Sequence, residues 1–577
     1  MAVAALSQYD YIFALTTIFA FLDAWNIGAN DVANSFATSV SSRSLTMKQA
    51  MAIAAVMEFA GAVSVGSRVA ATIRSKIIEP HLYDEQPAVL LLAMMCAIIG
   101  SSTFLTFATK MGFPVSTTHS IIGGLVGAGA ASIGIKQVNW EWDGVSSIFA
   151  AWVIAPGIAG TVGAALFLIT KYFIMTRRHA VRNAFYSIPV YTFITIGALV
   201  MLVVWKGIQL EVSLSNTEIA VCVVTVAGGL TALECFFLLP FLWRRIMHED
   251  WELRWYHCLQ GPWLLKRPPP SRPPPGTNAL NIKDYYRGHL TKEELETIRA
   301  SESLLESAKS PDSHARTDSE ADSAITTALP SPAIQASTLT RRSTTDAGPP
   351  LRPLGPWHSA PVLLWRFKRI TLRGLEQDVI RLQKRHPQSI LNYKIEDMHA
   401  RAPRYDNRAE YMYSALQILT AASASFIHGA SDVSNAIAPF TSAFLIWRTG
   451  LIADEVHVPL WVLAFGGAGI SLGLLTYGYH VMRNLGNRLT LMSPSRGFCM
   501  ELAGGITVLM ATRLAIPVSS TQCIAGAAIG VGLANGDWRA INVRLVGWIY
   551  LGWLITVPVT GLIAGGLMGI ILWAPRW

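Results

Sequence analysis

The chain alternates long apolar runs with two polar insertions that resemble each other. Apolar runs of about 20 residues recur toward both ends, the length a helix needs to cross the hydrocarbon core of a bilayer. They predict spans at 11–29, 48–67, 88–109, 112–134, 145–170, 187–206 and 217–241, then at 411–430, 460–481, 497–512, 516–535 and 545–573. The runs richest in Gly or polar residues (112–134, 411–430 and 516–535) are expected to be hairpins or broken helices. Between 246 and 408 the pattern changes. Pro268-Pro269-Pro270 and Pro273-Pro274-Pro275 predict polyproline II, and 300–350 is too rich in Ser, Thr, Ala and Asp to bury a core. Helical periodicity returns over 363–385, with Arg366, Lys368, Arg369 and Arg373 among Leu and Ile. It reads as a basic amphipathic helix, either on the inner leaflet or packed on the cytosolic face of the protein.

Outside that segment the two ends align. Gly28-Ala29-Asn30-Asp31-Val32-Ala33-Asn34-Ser35 matches Gly429-Ala430-Ser431-Asp432-Val433-Ser434-Asn435-Ala436. Pro114-Val115-Ser116-Thr117-Thr118-His119 matches Pro517-Val518-Ser519-Ser520-Thr521-Gln522. The expected organisation is an all-α polytopic membrane protein of about 12 segments in two repeats. Residues 1–170 form one half, 171–245 two linking helices, 246–408 a cytosolic and largely disordered loop, and 409–577 the second half.

Composition supports this reading. The 577 residues are 52% hydrophobic and only 14% charged, with mean hydropathy +0.38, which excludes an ordinary soluble protein. The net charge of +9 reads as topology rather than nucleic-acid affinity. Lys171, Arg177, Arg178, Arg182, Arg244, Arg245, Arg483, Arg488, Arg496, Arg539 and Arg544 fall at one set of span ends; Glu79, Asp84, Glu85, Asp454 and Glu455 fall at the other. The positive-inside rule then puts both termini outside and the central loop in the cytosol. It also makes the repeats inverted, with a site expected at their interface. Six cysteines show no metal spacing and are expected to pack. Asp23 and Asn26 in the first run, with no cleavage site after a basic start, argue against a removable signal peptide.

Carboxylates within a bilayer are costly and point to function. Asp31 and Asp432 are hard oxygen ligands for an alkali cation or a proton; Asn30, Asn34 and Asn435 offer carbonyl oxygens and N–H donors. Gly28 and Gly429 are expected to open the helix and free backbone groups. Ser116, Thr117, Thr118, Ser519, Ser520 and Thr521 lie at expected helix starts, where hydroxyls and unpaired N–H groups favour an anion. Neither cassette contains Lys or Arg, so a bound oxyanion needs co-bound cations, a physical reason for symport. Glu58 and Glu501 are further acids without repeat counterparts, suited to the ion path or to carrying a proton. His119 and His428 stand singly and do not suggest a metal site; His119 is expected to donate a hydrogen bond nearby.

Asp23-Ala24-Trp25-Asn26-Ile27-Gly28-Ala29-Asn30-Asp31-Val32-Ala33-Asn34-Ser35-Phe36 and His428-Gly429-Ala430-Ser431-Asp432-Val433-Ser434-Asn435-Ala436-Ile437 resemble the two signatures of the inorganic phosphate transporter (PiT) family, the sodium–phosphate symporters. The resemblance implies an importer of inorganic phosphate. No retention signal is visible at the C-terminus, so the plasma membrane is the expected location. Without a nucleophile–base pair in a soluble domain, neither an enzyme nor a cofactor is expected. The resemblance also implies sodium at Asp31, Asn34, Asp432 and Asn435, and phosphate at Ser116, Thr117, Ser519 and Ser520; Asn30, Thr118 and Thr521 are expected to join the phosphate site. Glu58 and Glu501 match acids needed for transport. Ser431, Ala438 and Gln522 depart from the family pattern, all in the second half. Proton-coupled phosphate or sulfate transport, and a phosphate sensor signalling through the loop, are the alternatives. A homodimer and kinases acting on the Ser/Thr-rich loop are left open as partners.

Overall fold

The structure is a computed structural model that describes residues 5–142, 144–206, 215–271, 282–308, 352–376, 394–453, 458–514 and 518–574. No strand occurs among them. Helices α1 (Asp10–Asn30) and α2 (Val32–Ser41) are one run interrupted at Asp31 alone, whose N–H still reaches Ile27 O at 2.9 Å. They lead into α3 (Met47–Ile77), started by a reciprocal cap between Thr46 and Gln49, and α4 (Pro87–Met111). Gly112, at φ +75°, ends α4, and 113–116 runs extended into α5 (Thr117–Ser132). Then follow α6 (Val145–Ile169), α7 (Ala180–Lys206) and α8 (Asn216–Met247).

The middle of the chain contributes α9 (Lys292–Ala308), α10 (Ala360–Thr371) and the short α11 (Ile395–Arg401). The second half comprises α12 (Asn407–Thr449), α13 (Leu460–Tyr477), the single turn α14 (Tyr479–Met482), α15 (Pro494–Arg513), α16 (Ser520–Leu533) and α17 (Val543–Trp573).

Eight of the twelve expected spans coincide with helices long and apolar enough to cross a bilayer. The other four fall on α5 and α16, of 16 and 14 residues, and on α12 and α15, which carry the polar groups. One expectation is overturned: 411–430 is not a broken helix. It lies inside α12, 43 residues without interruption until Gly450 at φ +70°. Gly429 therefore does not open the helix, nor does Gly28 in α1. Both serve close approach. A Cβ on Gly28 would lie 1.8 Å from Ile470 O, and one on Gly429 would lie 2.2 Å from Glu58 O. A glycine exposes backbone that lets two helices touch directly.

Packing is reciprocal between the halves. α1 lies on α13 while α3 lies on α12, and α5 lies on α17 while α16 lies on α6. The first helix of each half thus packs on the second long helix of the other. The six cysteines are all unpaired.

The middle of the chain is more ordered than its composition predicts. α9 covers 292–308, running into the stretch read as unable to fold; 309–351 lies outside the described residues. Of the basic helix expected at 363–385, α10 accounts for the start, and 377–393 is outside the described residues. α10 and the turn after it pack on α13, with Val362 buried while Leu363, Leu364 and Phe367 are exposed. Tyr286 donates to Glu410 at 2.8 Å, and Arg496 donates to Pro403 O at 2.6 Å. His399 Nε2 meets Asn487 O at 2.6 Å, and its Nδ1 meets His289 Nδ1 at 2.9 Å. These contacts bind 282–291 and 394–406 to the helical body.

Candidate functional site

The helix starts predicted for anion binding converge on the interruption between α1 and α2. Thr117, the first residue of α5, donates to Asp31 Oδ2 at 2.6 Å. Thr521, in the first turn of α16, donates to Asp31 Oδ1 at 2.9 Å. Ser520 donates to Asp432 Oδ2 at 2.9 Å, and Asn435 Nδ2 donates to Thr117 and Thr118, both at 3.1 Å. One buried cluster therefore draws on both halves, although its members are up to 490 positions apart in the chain.

His428 stands at its centre, a role to which the linear sequence gives only a faint pointer. Its Nε2 is 2.8 Å from Asp432 Oδ2 and 3.9 Å from Asp31 Oδ2; its Nδ1 is 2.8 Å from Glu58 Oε2. Ser425 donates to the other Glu58 oxygen at 2.8 Å. Asp31, His428 and Asp432 each present a ligand atom within 4.8 Å of the others, so these three could hold a cation, contrary to the expectation that His428 stands singly. The spacing of His428 and Asp432, four apart on one helix face, is the one signal of this in the sequence. The pairing with Glu58 joins α3 to α12 across 370 positions and leaves no trace in the linear pattern.

The remaining candidates are placed differently. Asn30 spends its side chain on the turn between α4 and α5: Nδ2 donates to Thr109 at 3.1 Å and Phe113 O at 2.9 Å, and Oδ1 accepts from Val115 N at 3.1 Å. Ser116 caps α5 by accepting from His119 N at 3.2 Å. Ser519 precedes α16 without a side-chain cap bond. The side chain of Asn34 lies outside the described residues. His119 Nδ1 accepts from Trp152 Nε1 at 3.1 Å, so the expected donor is here an acceptor.

Glu501 sits in a second polar cluster. Thr38, Ser39 and Gln417 donate to its Oε1 at 2.5, 2.8 and 3.3 Å, and Thr420 donates to its Oε2 at 2.6 Å. A small cavity lined by Thr38, Pro114, Leu485, Leu489, Met492 and Thr521 lies between the two clusters.

Residues 27–564 match the model of the phosphate transporter family. The chain belongs to that family. It is 49% identical to the phosphate-repressible phosphate permease pho-4 of Neurospora crassa, over 99% of each chain. It is 28% identical to sodium-dependent phosphate transporter 2 of Felis catus, again over 99% of each. A solved structure described as the sodium-dependent phosphate transporter shares 25% identity and covers 98% of this chain and 100% of its own, with a TM-score of 0.58. The all-α membrane fold is thus that of a phosphate transporter, not of an enzyme. Both polar clusters fall within the matched residues.

Proposed function

We propose that the protein is a sodium-coupled phosphate importer of the plasma membrane, with its central loop in the cytosol and both termini outside. The observation that carries this is the meeting of Thr117 and Thr521, one from each half, on the single carboxylate of Asp31. Hydroxyls at two helix starts suit an oxyanion, and Asp31 and Asp432 suit the cations that neutralise it. The acids accept these hydroxyls in charge-assisted bonds. Sodium on Asp31 and Asp432, with Asn34 and Asn435 as the further ligands this reading assigns, weakens those bonds and turns Thr117, Ser520 and Thr521 toward phosphate. Coupling then follows, because phosphate gains its donors only after the cations arrive. Ser116, Thr118, Ser519 and Asn30 complete or brace the anion site, and Glu58 fixes His428 beside the cation positions.

The reciprocal packing of the halves supports alternating access by inverted repeats, one pair of helices rocking on the other. Glu501 and the cavity toward Thr521 mark the ion path on the side of the positively charged loops. The test is uptake by reconstituted protein. Asp31→Asn abolishes sodium-stimulated phosphate uptake on this reading; a variant that keeps its sodium dependence contradicts it. Proton coupling is the second reading, favoured by His428 among three acids, and replacing sodium with choline across a pH gradient distinguishes the two.

A further inference from the structure

Asp23 lies on α1 two turns before Asp31, and the coupling scheme just proposed gives it no role. Its exposure is 0%, as is that of Asn26, one turn further on. Asn26 Nδ2 donates to Ser102 O at 3.1 Å and to Thr106 Oγ1 at 2.9 Å, which turns this side chain toward α4. Asn26 Oδ1 and both carboxylate oxygens of Asp23 have no hydrogen-bond partner among the described residues. The Ser101 hydroxyl lies beside Asp23 and donates to Ser120 Oγ at 3.1 Å. The unmatched atoms here are three oxygens, all of which accept, and positive charge is what they lack.

The surrounding elements do not supply it. α4, packed on α1, has no acidic or basic residue other than Lys110, in its last turn. α13, also packed on α1, has no Asp, Glu, Lys, Arg or His at all, and the titratable group of α14, His480, stacks on Tyr477 beside Trp25. From α12 the titratable groups on this side are His428 and Asp432, which belong to the Asp31 cluster, and Asp31 adds a second negative charge near Asp23. A lone ionised carboxylate in such a place is strongly unfavourable, beyond what packing of one side chain returns. The second half has Ala424 and Ile427 at the matching positions, so the arrangement exists once.

We propose that Asp23, with Asn26 Oδ1 and the Ser101 hydroxyl, forms a further monovalent-cation site on α1, separate from the one at Asp31 and Asp432. Hard oxygen ligands of this kind take sodium, and the carboxylate alone takes a proton; both neutralise the same charge. The site lies on the N-terminal side of Asp31 along α1, so a cation there queues behind the Asp31 cluster or leaves after it. This inference rests on the ion-coupled transport reading.

The test compares purified full-length wild type with Asp23→Asn, Asp23→Thr and the milder Ser101→Ala. Radioactive sodium binding is measured at saturating phosphate, and the pH profile of phosphate uptake is measured in proteoliposomes. If the occupant is sodium, both Asp23 variants bind one sodium fewer per chain and Ser101→Ala needs severalfold more sodium. If it is a proton, sodium binding is unchanged but the pH profile flattens in the Asp23 variants and shifts in Ser101→Ala. Either result supports the site. Wild-type sodium binding together with a wild-type pH profile overturns it, and Ser101→Ala still decides the matter should the Asp23 variants fail to fold. Failure of the transport reading itself would appear separately, as absence of phosphate uptake by the wild type.

Discussion

Two threonines from opposite halves end on one aspartate, and the proposed coupling depends on those hydroxyls having two partners to choose between. A hydrogen bond to a charged group contributes about 1.5–3 kcal/mol. Thr117→Val and Thr521→Val should each therefore weaken phosphate affinity roughly ten- to hundredfold. Measured phosphate KM at saturating sodium checks this, and an unchanged KM removes the hydroxyls from the anion site. His428 is the other decisive side chain. Replacing it with Asn leaves Asp31, Asp432 and Glu58 without the imidazole between them, and breaking a buried charged partnership typically costs about 3–5 kcal/mol. His428→Asn should lower thermal stability and uptake together, with part of the stability regained in sodium. Asp31 and Asp432 stand out in the sequence because each is an acid in an apolar run. His428 does not, because two of its partners come from the break between α1 and α2 and from α3, which only folding brings beside it.

At the level of elements, the doubled cassette folds in two different ways. The first copy straddles a one-residue interruption between α1 and α2; the second lies in the unbroken α12. Gly28 and Gly429 suggest broken helices, yet glycine also permits backbone-to-backbone contact, and here that use prevails. Gly28→Val should be strongly destabilising, since its Cβ would overlap Ile470 O, and overpacking costs about 1–3 kcal/mol even where neighbours can yield. Backbone yields less than side chains, so loss of monodisperse protein on size-exclusion chromatography is the expected outcome. A well-behaved Gly28→Val protein would contradict the α1–α13 contact. The apolar runs predict the long helices well because a bilayer leaves little choice of structure. The order in 282–308 and 394–406 is not legible in the sequence, because it comes from docking: His399 on Asn487, Tyr286 on Glu410 and Arg496 on Pro403.

Across the whole molecule, the halves exchange partners, each helix of one packing on a helix of the other, so neither half completes the site alone. Among the described residues, the central segment contributes no side chain to either polar cluster, although it grips the body through 282–291 and 394–406. Deleting 309–351 while keeping those docked stretches should leave sodium-dependent phosphate uptake within about twofold of wild type, whereas a sensor that signals through the loop would lose its downstream response. The central claim, that phosphate moves with sodium through a site shared by the halves, is tested most directly by reconstituted uptake of phosphate and of sulfate, each with and without an inward sodium gradient. Sodium should accelerate phosphate accumulation, and excess sulfate should not compete. Phosphate uptake indifferent to sodium, or uptake suppressed equally by sulfate, would contradict that claim.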